Sequence, residues 1–67
     1  MDIPVNEWEQ WAVAHDYVQK HGDEAPMIIA MRADKLLEQG EVLGARTFTA
    51  IMRKSQQLLS RNEGSVH

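Results

Sequence analysis

Apolar residues recur at helical spacing in three separate stretches of the chain. Side chains three or four positions apart share one face of an α-helix, because each residue turns the helix by about 100°. The pattern predicts three short helices, at about residues 5–21, 24–39 and 42–60. Tight glycine-containing turns separate them, so the expected fold is all-α, with neighbouring helices running antiparallel in a small bundle.

In the first predicted helix, one face carries both tryptophans of the chain. Asn6 is suited to cap the start of this helix, and Glu9 occupies the reciprocal position of a capping box three residues later. Polar and charged residues cover most of the remaining surface. The predicted core face comprises Trp8, Trp11, Ala12, His15 and Val18.

The second predicted helix has apolar residues on more than one side. Met27 and Met31 lie away from its main stripe. A helix of this kind is normally sandwiched, so its second side is expected to meet another layer or another chain. The main stripe consists of Ala25, Ile29, Ala33 and Leu36.

The third predicted helix has a wide apolar face, which Ile51 and Leu58 broaden beyond the needs of a solitary amphipathic helix. Residues 61–67 have no apolar period and are expected to form a flexible tail. The chain is therefore predicted to be a single domain over residues 1–60. The predicted apolar face of the third helix consists of Val42, Ala45, Phe48, Thr49, Met52, Gln56 and Leu59.

The stretch between the first two helices gathers a histidine, two carboxylates, a glycine and a proline. Each of its last residues has a structural role. Gly22 can end the first helix in a left-handed cap, and Asp23 can cap the second. Pro26 falls in the first turn, where its missing N–H breaks no helical bond. Gly40 is predicted to end the second helix, and Gly44 to allow close helix approach.

Size and composition narrow the class of protein. A chain of 67 residues without cysteine has neither disulfides nor thiolate metal ligands, so an oligomeric partner is a natural source of extra stability. The N-terminus lacks the pattern of a signal peptide, and no apolar run approaches the ~20 residues of a membrane span. These features predict a cytoplasmic protein without a membrane segment.

The chain has a net charge of −3, and its charged residues are unevenly distributed along the sequence. Residues 1–24 contain six acidic residues and one basic residue, whereas residues 41–67 contain four basic and two acidic residues. Such a division can serve packing within the chain or head-to-tail association between chains.

Catalytic chemistry has little support in the sequence. His15 would be either a core or interface histidine bonded to a carbonyl, or a buried acid–base group that responds to pH. No cluster has the spacing of metal ligands, no phosphate-binding or nucleophile motif occurs, and so small a bundle is expected to lack a pocket of several hundred cubic ångströms. We expect no enzyme activity, no metal and no cofactor.

Nucleic-acid binding is a second hypothesis. Arg46 and Arg53 are seven residues apart and share a face of the third helix, with Lys54 and Arg61 beside it. A basic helix of this kind can lie along phosphates. The acidic whole chain and the sparse cluster instead favour a solvated surface.

Protein binding is the first hypothesis. Tryptophan is enriched at interface hot spots, and methionine adapts to irregular partners. The chain has more apolar side chains than three short helices are expected to bury. The predicted interface consists of Trp8, Trp11, His15, Met27 and Met31.

Residues 9–52 resemble a family of very short, uncharacterised bacterial proteins. The shared pattern is a Trp–Ala pair, a His–Gly–Asp-x-Ala-Pro turn, an Ile–Ala helix, a glycine turn and an aromatic residue in the last helix. The resemblance implies a bacterial, cytoplasmic, all-helical protein and supplies no activity. The matching positions are Trp11, Ala12, His21, Gly22, Asp23, Ala25, Pro26, Ile29, Ala30, Gly40, Gly44 and Phe48.

The sequence thus predicts a small non-catalytic protein–protein interaction module that forms a homodimer. Two alternatives stay open. One is a small regulator that contacts nucleic acid through its third helix, and the other is an inhibitor encoded by a mobile element that blocks a larger host protein.

Overall fold

The computed structural model describes the backbone of residues 6–64 and the side chains of residues 6–60. It contains helices α1 (Glu7–His21), α2 (Ala25–Glu38) and α3 (Val42–Gly64), and no strand in this part of the chain. The all-α prediction is confirmed. Helix α3 continues to Gly64, past its predicted end, and the last three residues of the predicted tail lie outside the described residues.

Helix α1 begins at the predicted N-cap, Asn6, but Glu9 bonds the Asn6 side chain and not the Asn6 backbone N–H of the predicted capping box. The Asn6 side-chain oxygen accepts a 2.7 Å hydrogen bond from the backbone N–H of Glu9. The Asn6 amide then donates to the Glu9 carboxylate at 2.8 Å. Asn6 thus satisfies the backbone N–H of Glu9, which has no partner within the helix, and the Glu9 carboxylate holds the Asn6 side chain in place.

The corner between α1 and α2 is a short 3-10 turn, Gly22–Glu24, rather than a loop. Gly22 has the predicted positive φ of 58°, but its ψ of −132° lies outside the left-handed helical region. The prediction that Asp23 caps α2 is wrong, because α2 starts at Ala25 and its N-cap is Glu24, without a side-chain hydrogen bond. Pro26 lies in the first turn as predicted.

Helix α2 ends at a glycine cap, as predicted. Gly40 has a φ of 80°, and its N–H donates to the Leu37 carbonyl at 3.0 Å. The next N–H, of Glu41, donates to the Leu36 carbonyl at 2.8 Å. These two bonds satisfy carbonyls at the end of α2 and reverse the chain within three residues, which brings α3 back along α2.

Replacing Gly40 by alanine is expected to lower the free energy of unfolding by about 1–2 kcal/mol, the cost of a left-handed backbone for a residue with a Cβ. An added Cβ would meet no atom within 4 Å, so the cost is conformational rather than steric. Gly40→Asn should cost less, because asparagine tolerates this conformation. Urea denaturation measures both variants, and equal stability of Gly40→Ala and wild type would contradict the assigned cap.

Helix α3 is the element on which the other two pack. Both α1 and α2 make extensive contacts with α3 but few with each other. Arg32 of α2 lies over the ring of Phe48, whereas Lys54 reaches α1 further along α3. The expected bundle of three mutually packed antiparallel helices is therefore wrong. Residues 7–38 form one bent helical arm, and α3 forms the other.

The core is small and contains several short side chains. Ala14, Ala25, Ile29 and Ile51 form its buried centre, each fully excluded from solvent. Ser55 is also buried, and its hydroxyl donates to the Met52 carbonyl at 2.6 Å. Alanine and serine at these positions let the helices approach closely, so the few larger side chains are well covered.

The predicted stripe of α2 is confirmed, since all four of its residues are buried. The predicted face of α1 is confirmed only in part, because Trp11 and Val18 are half-buried and Val18 packs against the core. Trp8, Ala12 and His15 are exposed, and the fully buried residue is Ala14. In α3, Phe48, Met52 and Ile51 face the core as predicted, whereas Val42 and Gln56 are exposed and Ser55 is buried.

Candidate protein-binding surface

Six large apolar side chains are exposed among the residues whose side chains are described. On a domain this small, exposed large apolar side chains indicate a candidate binding surface. Three of the six lie close in sequence around the turn that joins α2 to α3. The six exposed side chains are those of Trp8 (77% exposed), Met27 (58%), Met31 (63%), Leu37 (57%), Val42 (49%) and Leu43 (76%).

An open groove of about 450 Å³ lies beside this turn. We call it the α2–α3 groove. Leu37 supplies the wall from α2, and the first three turns of α3 supply the rest. The expectation that so small a chain lacks a concave site of this size is wrong. The lining residues are Leu37, Val42, Ala45, Arg46, Thr49, Ala50 and Arg53.

The floor of the groove is formed by small side chains. Thr49 and Ala50 are half-buried, and the Thr49 hydroxyl donates to the Ala45 carbonyl at 2.9 Å. This bond satisfies the hydroxyl within its own helix. Among the described residues, no buried side-chain polar atom of the groove lacks a hydrogen-bond partner.

Two arginines flank this floor. Arg46 and Arg53 are exposed and are two helical turns apart, which is about 10 Å along the axis of α3. Neither forms an ion pair with a carboxylate in the part of the chain that the structure describes. The α2–α3 groove is therefore apolar along its floor and positively charged at two defined points.

Residues 6–63 match a protein family of unknown function, DUF6961. The match takes in the α1 cap, both corners and nearly all of α3. The chain belongs to this family. The resemblance inferred from the helix punctuation, to a family without a known activity, is thereby confirmed. No match was found among curated proteins or among solved structures.

In this member of the DUF6961 family, the predicted basic surface is only partly assembled. Lys54 is directed to α1, where its ammonium group donates to the Gln10 side chain at 3.0 Å and lies 5.4 Å from the centre of the Trp11 ring. It joins α3 to α1 rather than facing a ligand. Arg61 has a side chain outside the described set, so Arg46 and Arg53 are the two basic groups seen at the groove.

The predicted interface residues lie on two helices. Met27 and Met31 are exposed one turn apart on α2, opposite its buried stripe. Trp8 and His15 are exposed on α1, whereas Trp11 is half-buried beneath Lys54. His15 is therefore not a core histidine, and the interface role predicted for it stays a prediction.

Sequence reasoning missed the groove itself. The periodicity placed Val42 on the buried face of the third helix and assigned Leu37 and Leu43 to no face. A usable signal was present, because Leu36, Leu37, Val42 and Leu43 surround Gly40, and a single tight turn cannot turn all four inward.

The described residues contain neither a candidate metal-binding cluster nor a candidate membrane span. No three histidine or acidic side chains there come together in a way that could hold a metal ion. Within the same residues, no helix has both the length and the apolar character that crossing a bilayer requires.

Proposed function

We propose that this protein is a small non-catalytic protein–protein interaction module that forms a homodimer through the α2–α3 groove. The observation that carries the proposal is the groove of about 450 Å³ beside three exposed apolar side chains, Leu37, Val42 and Leu43. Covering these side chains removes apolar surface from water, which is the main driving force of protein association.

The lining residues favour binding over catalysis. They comprise aliphatic side chains, one threonine whose hydroxyl is bonded internally, and two arginines. None of these groups is a general base or an activated nucleophile at neutral pH. The groove instead provides a concave surface and two positive charges. These features suit recognition of a partner rather than catalysis.

The same surface favours a protein partner over nucleic acid. Two arginines give a sparse phosphate-binding surface, and Lys54 is engaged with α1. Single-stranded nucleic acid is usually held by aromatic side chains on which bases stack, and no residue lining the groove is aromatic. An inhibitor of a larger host protein would use the same apolar surface, so the experiment below distinguishes the two protein-binding hypotheses.

The test compares Val42→Glu with Met31→Glu by light scattering across a dilution series. We expect wild type to be a dimer and Val42→Glu to weaken the dimer at least about 10-fold, since a carboxylate would have to be buried on association. Val42 is the first residue of α3, where a negative charge suits the helix dipole, so the fold should persist. Circular dichroism measures that persistence.

Met31→Glu is the matched control, because it places the same charge at another exposed apolar site, outside the groove. It should leave the dimer intact. A wild-type protein that is monomeric at every concentration would contradict self-association and direct attention to a different protein partner. A dimer that only Met31→Glu disrupts would place the interface on the outer side of α2.

A further inference from the structure

The outward side of α1 is an acidic surface with one large apolar side chain. Trp8 is 77% exposed and lies next to Glu9 at the start of the helix. Asp16 follows seven residues after Glu9, on the same side. We call this surface the outer face of α1. Its exposed residues are Trp8, Glu9, Ala12, His15, Asp16, Gln19 and Lys20.

The spacing of charges on this face matches that of the α2–α3 groove. Glu9 and Asp16 are seven residues apart, as are Arg46 and Arg53. Seven residues correspond to about two helical turns, or roughly 10 Å along either axis. When two helices lie side by side, both carboxylates of one can therefore face both guanidinium groups of the other. Ala12, between the carboxylates, is small enough to let the backbones approach.

The position of Trp8 favours a parallel alignment of α1 with α3 over an antiparallel one. Trp8 precedes Glu9, and Val42 precedes Arg46 by one helical turn. A parallel alignment of α1 with α3 consequently places Trp8 at the apolar end of the groove, near Leu37 and Val42. An antiparallel alignment would place the indole beside Arg53, at the end with no exposed aliphatic side chain.

We propose that the outer face of α1 in one copy occupies the α2–α3 groove of a second copy, and that the two copies do so reciprocally. Glu9 then faces Arg46, Asp16 faces Arg53, and Trp8 covers Leu37 and Val42. This inference rests on the proposed function and specifies its partner surface. It also accounts for the acidic first third and the basic last third of the chain.

The existing contacts of the two carboxylates permit this pairing. Asp16 forms a 3.1 Å ion pair with Lys20, but both side chains are more than half exposed. Exposed pairs of this kind contribute little and are readily exchanged for a better partner. One oxygen of Glu9 accepts the Asn6 amide hydrogen bond, which leaves the other oxygen for an arginine.

Two charge reversals test the inference, each alone and then mixed. Asp16→Lys places two cations together at each contact of the dimer, and Arg53→Glu places two anions together. Each variant alone should dimerise at least about 10-fold more weakly than wild type, because facing like charges disfavour association. An equimolar mixture should regain wild-type affinity as a heterodimer, since one contact then pairs Lys with Glu and the other keeps Asp16 with Arg53.

Asp23→Lys provides the matched control, as it reverses an exposed acid in the corner, outside the outer face of α1. It should dimerise normally alone and should not rescue Arg53→Glu. Sedimentation velocity gives the association state, and circular dichroism shows that each variant is helical.

The possible failures are distinguishable. A wild-type dimer that both reversals leave unchanged would overturn the inference but leave the proposed function standing. Weakened variants that do not rescue each other would overturn the pairing of Asp16 with Arg53. A monomeric wild type would remove both proposals, and a wild-type monomer that shifts single-stranded DNA, with loss of the shift in Arg53→Glu, would replace them with nucleic-acid binding.

Discussion

Replacing Ile51 by alanine is expected to lower the free energy of unfolding by about 2–5 kcal/mol. Ile51 is fully buried and contributes to the central cluster with Ala14, Ala25 and Ile29. Its alanine variant loses apolar burial and leaves a cavity that three helices can only partly close. At about 0.05–0.15 kcal/mol per residue, a chain of 67 residues has a total stability of roughly 3–10 kcal/mol. The variant should therefore be partly unfolded at 37 °C.

Urea denaturation followed by circular dichroism measures this loss. Leu43→Ala is the matched control on the same helix, because Leu43 is 76% exposed and its truncation should change stability by no more than about 0.5 kcal/mol. Both variants are compared at a concentration where wild type is monomeric, so that association does not contribute. Equal losses in the two variants would mean that Ile51 is not at the centre of the core.

Replacing Ala14 by leucine is the second change with a large expected effect. Ala14 is fully buried in the core cluster, so the three extra carbon atoms of leucine would have to be accommodated among packed neighbours. Overpacking of this kind costs about 1–3 kcal/mol, because neighbouring side chains or backbones must shift. The melting temperature and the urea midpoint should both fall, and near-ultraviolet circular dichroism should show altered packing around the aromatic residues.

Ala12→Leu is its control, two residues earlier on the same helix. Ala12 is exposed, so at a concentration where wild type is monomeric the variant should be as stable as wild type within about 0.5 kcal/mol. This pair of variants decides between the two orientations of α1. Destabilisation by leucine at position 12 and tolerance at position 14 would favour the orientation predicted from the sequence over the one in the structure.

The comparison of α1 with α2 shows why one face was predictable and the other was not. In α2 the buried residues are aliphatic or alanine, and charged residues occupy much of the other side, so a single orientation satisfies the pattern. In α1 one of the two tryptophans, Trp8, is exposed, whereas one of the two alanines, Ala14, is fully buried. Hydrophobicity alone gives Trp8 more weight, whereas close packing against Ile29 and Ile51 requires the small residue.

Part of the candidate site was predictable from the sequence, and part was not. The exposure of Met27 and Met31 was predictable, because both lie opposite a clear apolar stripe. The two arginines of the groove were also identified, since a spacing of seven residues places them on one side of any helix. The groove was not predictable, because Leu37 lies on α2 and the other lining residues lie on α3. Their proximity depends on the path of the turn between the two helices.

By itself, the sequence determined the helical class, the capping of α1 by Asn6 and Glu9, the end of α2 at Gly40 and the buried stripe of α2. These features depend on contacts between residues a few positions apart, where residue type and spacing decide the outcome. Only the tertiary structure decided that α1 and α2 form one bent arm on α3, that Trp8 and His15 face outward, and that a groove opens between Leu37 and Arg53. Those features depend on which helix faces which, and that choice is made by packing of small side chains against large ones across distant parts of the chain.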